Sequence, residues 1–192
     1  TSRGTAFVNN YFGGIALIAK TTRETPYAEP HSTRLVDIHI NNPGDDRYIN
    51  NIFAGAGPSF TPGWGGMDQR QLDQVPFDME GNLYLNGAVP PVFDKQAVVL
   101  ADVKPPFRLV NAAGRLEWSI DPAWRRQQHR AIVTAERLGI AQVPGLPFEL
   151  PDGSPVKVDR DFSGVLRNSD SIMPGPVETP GDGGFQWDFQ RN

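Results

Sequence analysis

Cysteine is absent from the 192 residues, which removes disulfides and thiolate metal sites. Histidine occurs only as His31, His39 and His129, too scattered for a zinc-ligand spacing. No apolar run approaches the length of a membrane span, and no segment reads as a signal peptide. The 18 basic residues are mixed among 22 acidic ones without forming a stripe, so nucleic acid is a poor partner. There is no nucleophile elbow, phosphate loop or dinucleotide fingerprint; GAGPSFTPG (55–63) has the glycines of a phosphate loop but neither its spacing nor its lysine. The lack of cysteine leaves the compartment open: a secreted or periplasmic bacterial protein is the expectation, and a cytosolic one is compatible. The chain opens on Thr1 rather than Met and enters a strand-like run at once, from which a fragment or processed piece is expected.

What the chain has in excess is glycine and proline, 20 and 18 residues. They follow no collagen period and sit among many aromatics, so they read as turns in a β-rich fold. The same wording recurs three times, as VNNYFGG (8–14), INNIFAG (49–55) and GNLYLNG (81–87). Alignment puts Asn10, Asn51 and Asn82 at one position and Phe12, Phe53 and Tyr84 two residues later. Each copy reads as a short strand that glycine ends. In a parallel β-helix such copies stack roughly 4.8 Å apart, with asparagines bonding along a ladder and aromatics packing on one another. Three unrelated hairpin strands are the alternative. Loops of unequal length between rungs account for the uneven offsets.

Between the copies, residues 15–19 and 33–40 read as strands, TTRETPYAEPHS (21–32) as a proline-bearing polar loop, and NNPGDDR (41–47) as a turn cluster. The expected division is rungs with long loops over 1–90 and an antiparallel capping region over 91–192. In the second part FRLVNAAGRLEWSI (107–120) reads as strand, turn and strand. Asp121-Pro122 offers an N-cap and a first helical residue, and AWRRQQHRAIVTAERLG after it reads as a short helix running into a strand, which propensity does not separate. Phe185, Trp187 and Phe189 alternate as in a docked edge strand.

Together GTAFVNNYFGG, RETPYAEPHST, GDDRYINNIFAG and GNLYLNG resemble the C-terminal half of glycoside hydrolase family 120, and TAERLG, LPFELPDGSPVKVDRDFSGVLR and PGPVETPG resemble its final segment. The resemblance runs from about residue 4 to residue 181. It implies an all-β, right-handed parallel β-helix with β-xylosidase activity, exo-acting on xylosides. It also implies that the catalytic Asp and Glu stand just upstream of the part matching 1–14, outside this chain. The partners implied are a glycoside or oligosaccharide substrate and the missing N-terminal half, or another chain that completes the coil. The sequence departs from the family at Ala28, where the family loop reads TPYH, so a histidine contact is lost there. A non-catalytic carbohydrate-binding or structural β-helix piece is the rival. A polysaccharide lyase fits the architecture but not the wording.

Glycoside hydrolysis needs two carboxyl groups flanking the scissile bond, about 5 Å apart for retention and about 6.5–9.5 Å for inversion. Asp45 and Asp46 are neighbours, so on a strand they face opposite sides. One of them facing the cleft, holding sugar hydroxyls or Arg47, is set against a turn in which Asp caps backbone N–H groups. The segment 23–33 is the best cleft lining: Arg23, Tyr27, His31 and Ser32 supply donors, acceptors and an aromatic face for a polar sugar. Trp64 is a sugar-stacking platform or a packing residue. No cofactor is expected; a structural calcium near Asp45 and Asp46 stays open.

Overall fold

The computed structural model describes residues 3–16, 24–40, 44–55, 66–67, 77–104, 107–109, 115–118, 130–168, 171–178 and 185–188. Among the described residues the fold is all-β apart from one helical turn. Strands β1 (Ala6–Val8), β2 (Tyr11–Gly13), β3 (Ile15–Ala16), β4 (Glu24–Ala28), β5 (Leu35–Ile40), β6 (Asp46–Ile49), β7 (Ile52–Ala54), β8 (Gly66–Met67), β9 (Phe77–Glu80), β10 (Leu83–Leu85) and β11 (Val98–Leu100) come first. After them come β12 (Phe107–Leu109), β13 (Arg115–Trp118), the turn α1 (Ala135–Leu138), β14 (Ile140–Ala141), β15 (Leu146–Pro147) and β16 (Phe185–Asp188).

Three sheets are parallel: β1-β6-β9, β2-β7-β10-β11 and the pair β3-β8. The aligned copies sit in register, with Phe12 opposite Phe53 and Phe53 opposite Tyr84. A strand in one sheet is followed after a two-residue corner by a strand in the next. Asn9, Asn50 and Gly81 make that corner at φ 55, 55 and 67°. Glycine and asparagine tolerate this left-handed backbone best, which explains why the copies begin NN, NN and GN. The following asparagine does a second job. Asn51 Oδ1 accepts the Asn10 N–H at 2.8 Å, and Asn82 Oδ1 accepts the Asn51 N–H at 2.8 Å. Their amides donate to Phe7 O and Tyr48 O at 2.9 and 2.8 Å, so each rung is tied to the one before it.

The core is a set of aromatic columns. Phe7 stacks on Tyr48 at 4.7 Å, Phe12 on Phe53 at 4.8 Å, and Phe53 on Tyr84 at 5.1 Å. Met79 and Ala88 complete this cluster, with Phe93 packed against it. Outward-facing side chains of the first sheet, Ala6, Val8 and Ile49, meet Val133, Leu138, Phe148, Val156 and Val158. Those of the second, Ile52, Leu83 and Leu85, meet Met173 and Val177. The C-terminal residues therefore cover both outer faces of the stacked strands. The parallel sheet extends one strand past residue 90, to β11. Among the described residues strands β12, β13 and β16 form an antiparallel sheet in that order.

One reading needs correction. The segment 21–32, read as a loop, contains strand β4, which pairs antiparallel with β5 across a bulge at Tyr27/Ala28. Pro26 masked the strand, because proline forbids a ladder donor. At an edge strand that donor is not required. The short helix expected from Asp121 lies outside the described residues.

Candidate functional site

The β4–β5 hairpin leaves the chain between β3 and β6. Its inner face closes a cavity of about 210 Å³ lined by Arg3, Thr25, Pro26, Tyr27, His39 and Val143. The Tyr27 and His39 rings lie 5.8 Å apart, tilted by 52°. At the hairpin tip His31, at φ 57°, reaches Glu149 with Nε2···Oε2 3.0 Å. Ser32 Oγ accepts the Arg34 N–H at 3.0 Å and so belongs to the turn itself. Arg34 Nε donates to Glu29 Oε2 at 2.8 Å; the bond holds the Glu29 carboxyl below its ordinary value and the guanidinium above its own.

Beside this lies a second cavity, of about 240 Å³, with Asp45, Asp46, Arg47, Asp78 and Gln142 among its walls. Its charges are engaged. Arg47 Nη1 donates to Asp45 Oδ1 at 2.6 Å, and its other nitrogens donate to Leu138 O and Ile140 O at 3.0 and 2.8 Å. Asp45 Oδ2 accepts the Gln142 N–H at 2.7 Å, and Asp46 Oδ1 accepts the Thr5 N–H at 2.9 Å. Both aspartates thus bond backbone N–H groups, and Asp45 also holds Arg47. Among the described residues no three His, Cys, Asp or Glu side chains converge on a metal position.

A third cavity, of about 300 Å³, is bordered by Asn50, Glu80, Gln96, Arg130, Val133 and Arg137. Arg137 bridges to Asp78 Oδ2 at 2.6 Å and to Glu80, and these bonds raise its already high pKa. Asp78 and Glu80 alternate on β9 and face the same way, the spacing of a carboxylate pair, but Arg137 binds both. Alternating acids in FDME followed by a cation in AERL are visible in the sequence; that they meet is not. Asp94 was also missed. It lies at the far end of the ladder, where Oδ2 accepts Tyr84 O–H at 2.7 Å and Asn82 Nδ2 at 2.9 Å. Burial pushes its carboxyl up to about 6 and raises the Tyr84 hydroxyl far above its ordinary value.

Of the eight residues picked from the sequence, Tyr27 lines the hairpin cavity, His31 and Ser32 form the hairpin tip, and Asp45, Asp46 and Arg47 border the neighbouring cavity. Arg23 and Trp64 lie outside the described residues. The structure thus belongs to the class of all-β proteins built from stacked parallel strands, with an aromatic and polar cavity lined in part by a hairpin. No family model matches the sequence, and no curated protein matches it. Among solved structures the chain superimposes on XylC, described in complex with xylose, at TM-score 0.77 and 22% identity. The match covers 96% of this chain and 32% of the XylC chain, so the chain spans about a third of that protein's length. At this identity the likeness is one of fold.

Proposed function

We propose that this chain is part of a glycoside hydrolase, exo-acting on xylosides and built as a right-handed parallel β-helix. In this reading its residues wall the substrate cleft, and the catalytic Asp and Glu stand outside it. The observation that carries the reading is the shared fold over nearly the whole chain with XylC, a protein seen holding xylose. The family 120 wording of the repeats supports it, and so does the hairpin cavity, whose tyrosine, histidine, threonine and arginine suit a polyhydroxylated ligand. The division into rungs over 1–90 and a capping region over 91–192 belongs to the same proposal. Arg23, Tyr27, His31, Ser32, Asp45, Asp46, Arg47 and Trp64 are its substrate-binding residues.

A second reading, a carbohydrate-binding segment without catalysis, is favoured by one observation. Asp78, Glu80 and Asp45, three of the four acids bordering these cavities, are each held by an arginine. The test is an assay of the natural protein on aryl xylosides and arabinosides, together with direct titration of xylose. Release of pentose supports the hydrolase; saturable xylose binding without release supports the second reading; neither result leaves either standing. In an active protein, Tyr27→Ala raises KM about tenfold with a smaller change in kcat, because the ring contributes about 1–1.5 kcal/mol of contact present before the chemical step.

A further inference from the structure

The outer edge of the β4–β5 hairpin is unpaired among the described residues, since β5 has β4 on one side only. Val36, Ile38 and Ile40 project from β5 at 54, 53 and 44% exposure, beside exposed Pro26 on β4. A two-stranded ribbon with an apolar face is marginal in water, and an apolar edge strand is a template for another strand. The backbone at this edge has no second strand partner among the described residues. Ile38 is opposite Pro26, which has no N–H, and the Ile38 N–H is held instead by its neighbour Asp37 through Oδ1 at 2.7 Å. In an antiparallel ladder this places the Ile38 N–H and carbonyl on the side away from β4.

We propose that two copies of this chain join edge to edge through β5, antiparallel about a twofold axis at Ile38, to give a four-stranded sheet ordered β4-β5-β5-β4. The occupant is a second copy because the strand is complementary to itself in this register. A twofold at Ile38 sets Val36 opposite Ile40 and Asp37 opposite His39, each pair occurring twice, with Ile38 opposite its own counterpart. Apolar side chains meet on the outer face and a carboxylate meets an imidazole on the inner one, the cross-strand pairs that stabilise sheets. Within one strand Asp37 and His39 already lie on the same face, 3.7 Å apart. A twofold at Asp37 would oppose two carboxylates, and one at His39 two imidazoles; an axis between residues would set polar against apolar. An isologous contact of this kind closes on itself and stops at the dimer. The proposal does not depend on the hydrolase reading.

The test uses the natural protein in sedimentation. The unmodified protein is expected to be a dimer, or a multiple of one, at micromolar concentration. Asp37→Lys alone and His39→Glu alone each weaken association at least tenfold. An equal mixture of the two recovers it, because the introduced lysine meets the introduced glutamate while the native histidine meets the native aspartate. Unchanged thermal unfolding of each variant separates lost association from lost folding. As an independent readout, Ile38→Cys cross-links at that position under mild oxidation at least ten times faster than Val92→Cys, a fully exposed site elsewhere. The facing Cα atoms would be about 5.5 Å apart, within disulfide reach. A monomeric unmodified protein, a mixture no more associated than its components, or equal cross-linking at the two positions overturns the proposal and assigns the edge to a different segment or partner.

Discussion

Asn51 shows how much a single polar residue can fix. It is fully buried, accepts the Asn10 N–H, and donates to Phe7 O and to Asn82 Oδ1. Asn51→Ala strands a backbone N–H and a carbonyl on the rung above. Buried groups left unpaired cost about 1–3 kcal/mol each, so a loss of about 3 kcal/mol in urea unfolding is expected. Asp94 gives a pH signature. Its carboxyl is pushed up to about 6 in the fold, against 3.8 when unperturbed, so the folded state holds the proton more tightly. The resulting stability is fully present below about pH 4 and is lost as the pH rises through about 6. The window is worth at most about 3 kcal/mol. Asp94→Asn should flatten the pH dependence of the urea midpoint between pH 4 and 7 while keeping an acceptor for Tyr84; an unchanged slope would show that another group sets it.

At the scale of elements, polar side chains tie the stack to its cover beside the apolar contacts, and Arg47 is one of them. From β6 it reaches carbonyls in α1 and β14, residues about ninety positions away, and it lies 5.2 Å from the Phe148 ring centre. Arg47→Ala removes this attachment and leaves Asp45 without its cation. Amide exchange over Leu138–Ala141 should quicken at least tenfold while the amides of β7 and β10 keep their protection. Uniform acceleration would mean that the rungs and their cover open as one unit. The hairpin illustrates why some elements escaped the sequence reading. ETPYA has a proline at its centre and no clear apolar alternation, and it becomes a strand because β5, with the strong pattern LVDIHI, supplies a partner. Strand β5 was legible by itself; β4 was legible only through β5.

For the whole molecule, Val133, Leu138, Met173 and Val177 are buried against the outer faces of the stacked strands, and the ion pair Arg167–Glu178, at 2.7 Å, is buried among the C-terminal residues. The polar cavity is lined by Arg3 and by Thr25, Tyr27 and His39 of the hairpin. Function at this scale is tested by pentose release or xylose binding in the natural protein, and assembly by the β5 charge exchange.

The sequence alone determined the rungs. A left-handed corner residue, an asparagine and an aromatic two positions on form a local signature that repeats, and parallel stacking turns a repeat in sequence into a ladder in space. Tertiary structure alone decided the charges and the groove. Whether Asp78 and Glu80 are a free carboxylate pair or a clamp on Arg137 depends on a contact across some sixty residues. Whether Asp45 faces a ligand or Arg47 depends on where α1 and β14 come to rest. Such pairings are fixed by which surfaces meet when apolar faces are buried, and no local spacing in the chain encodes them.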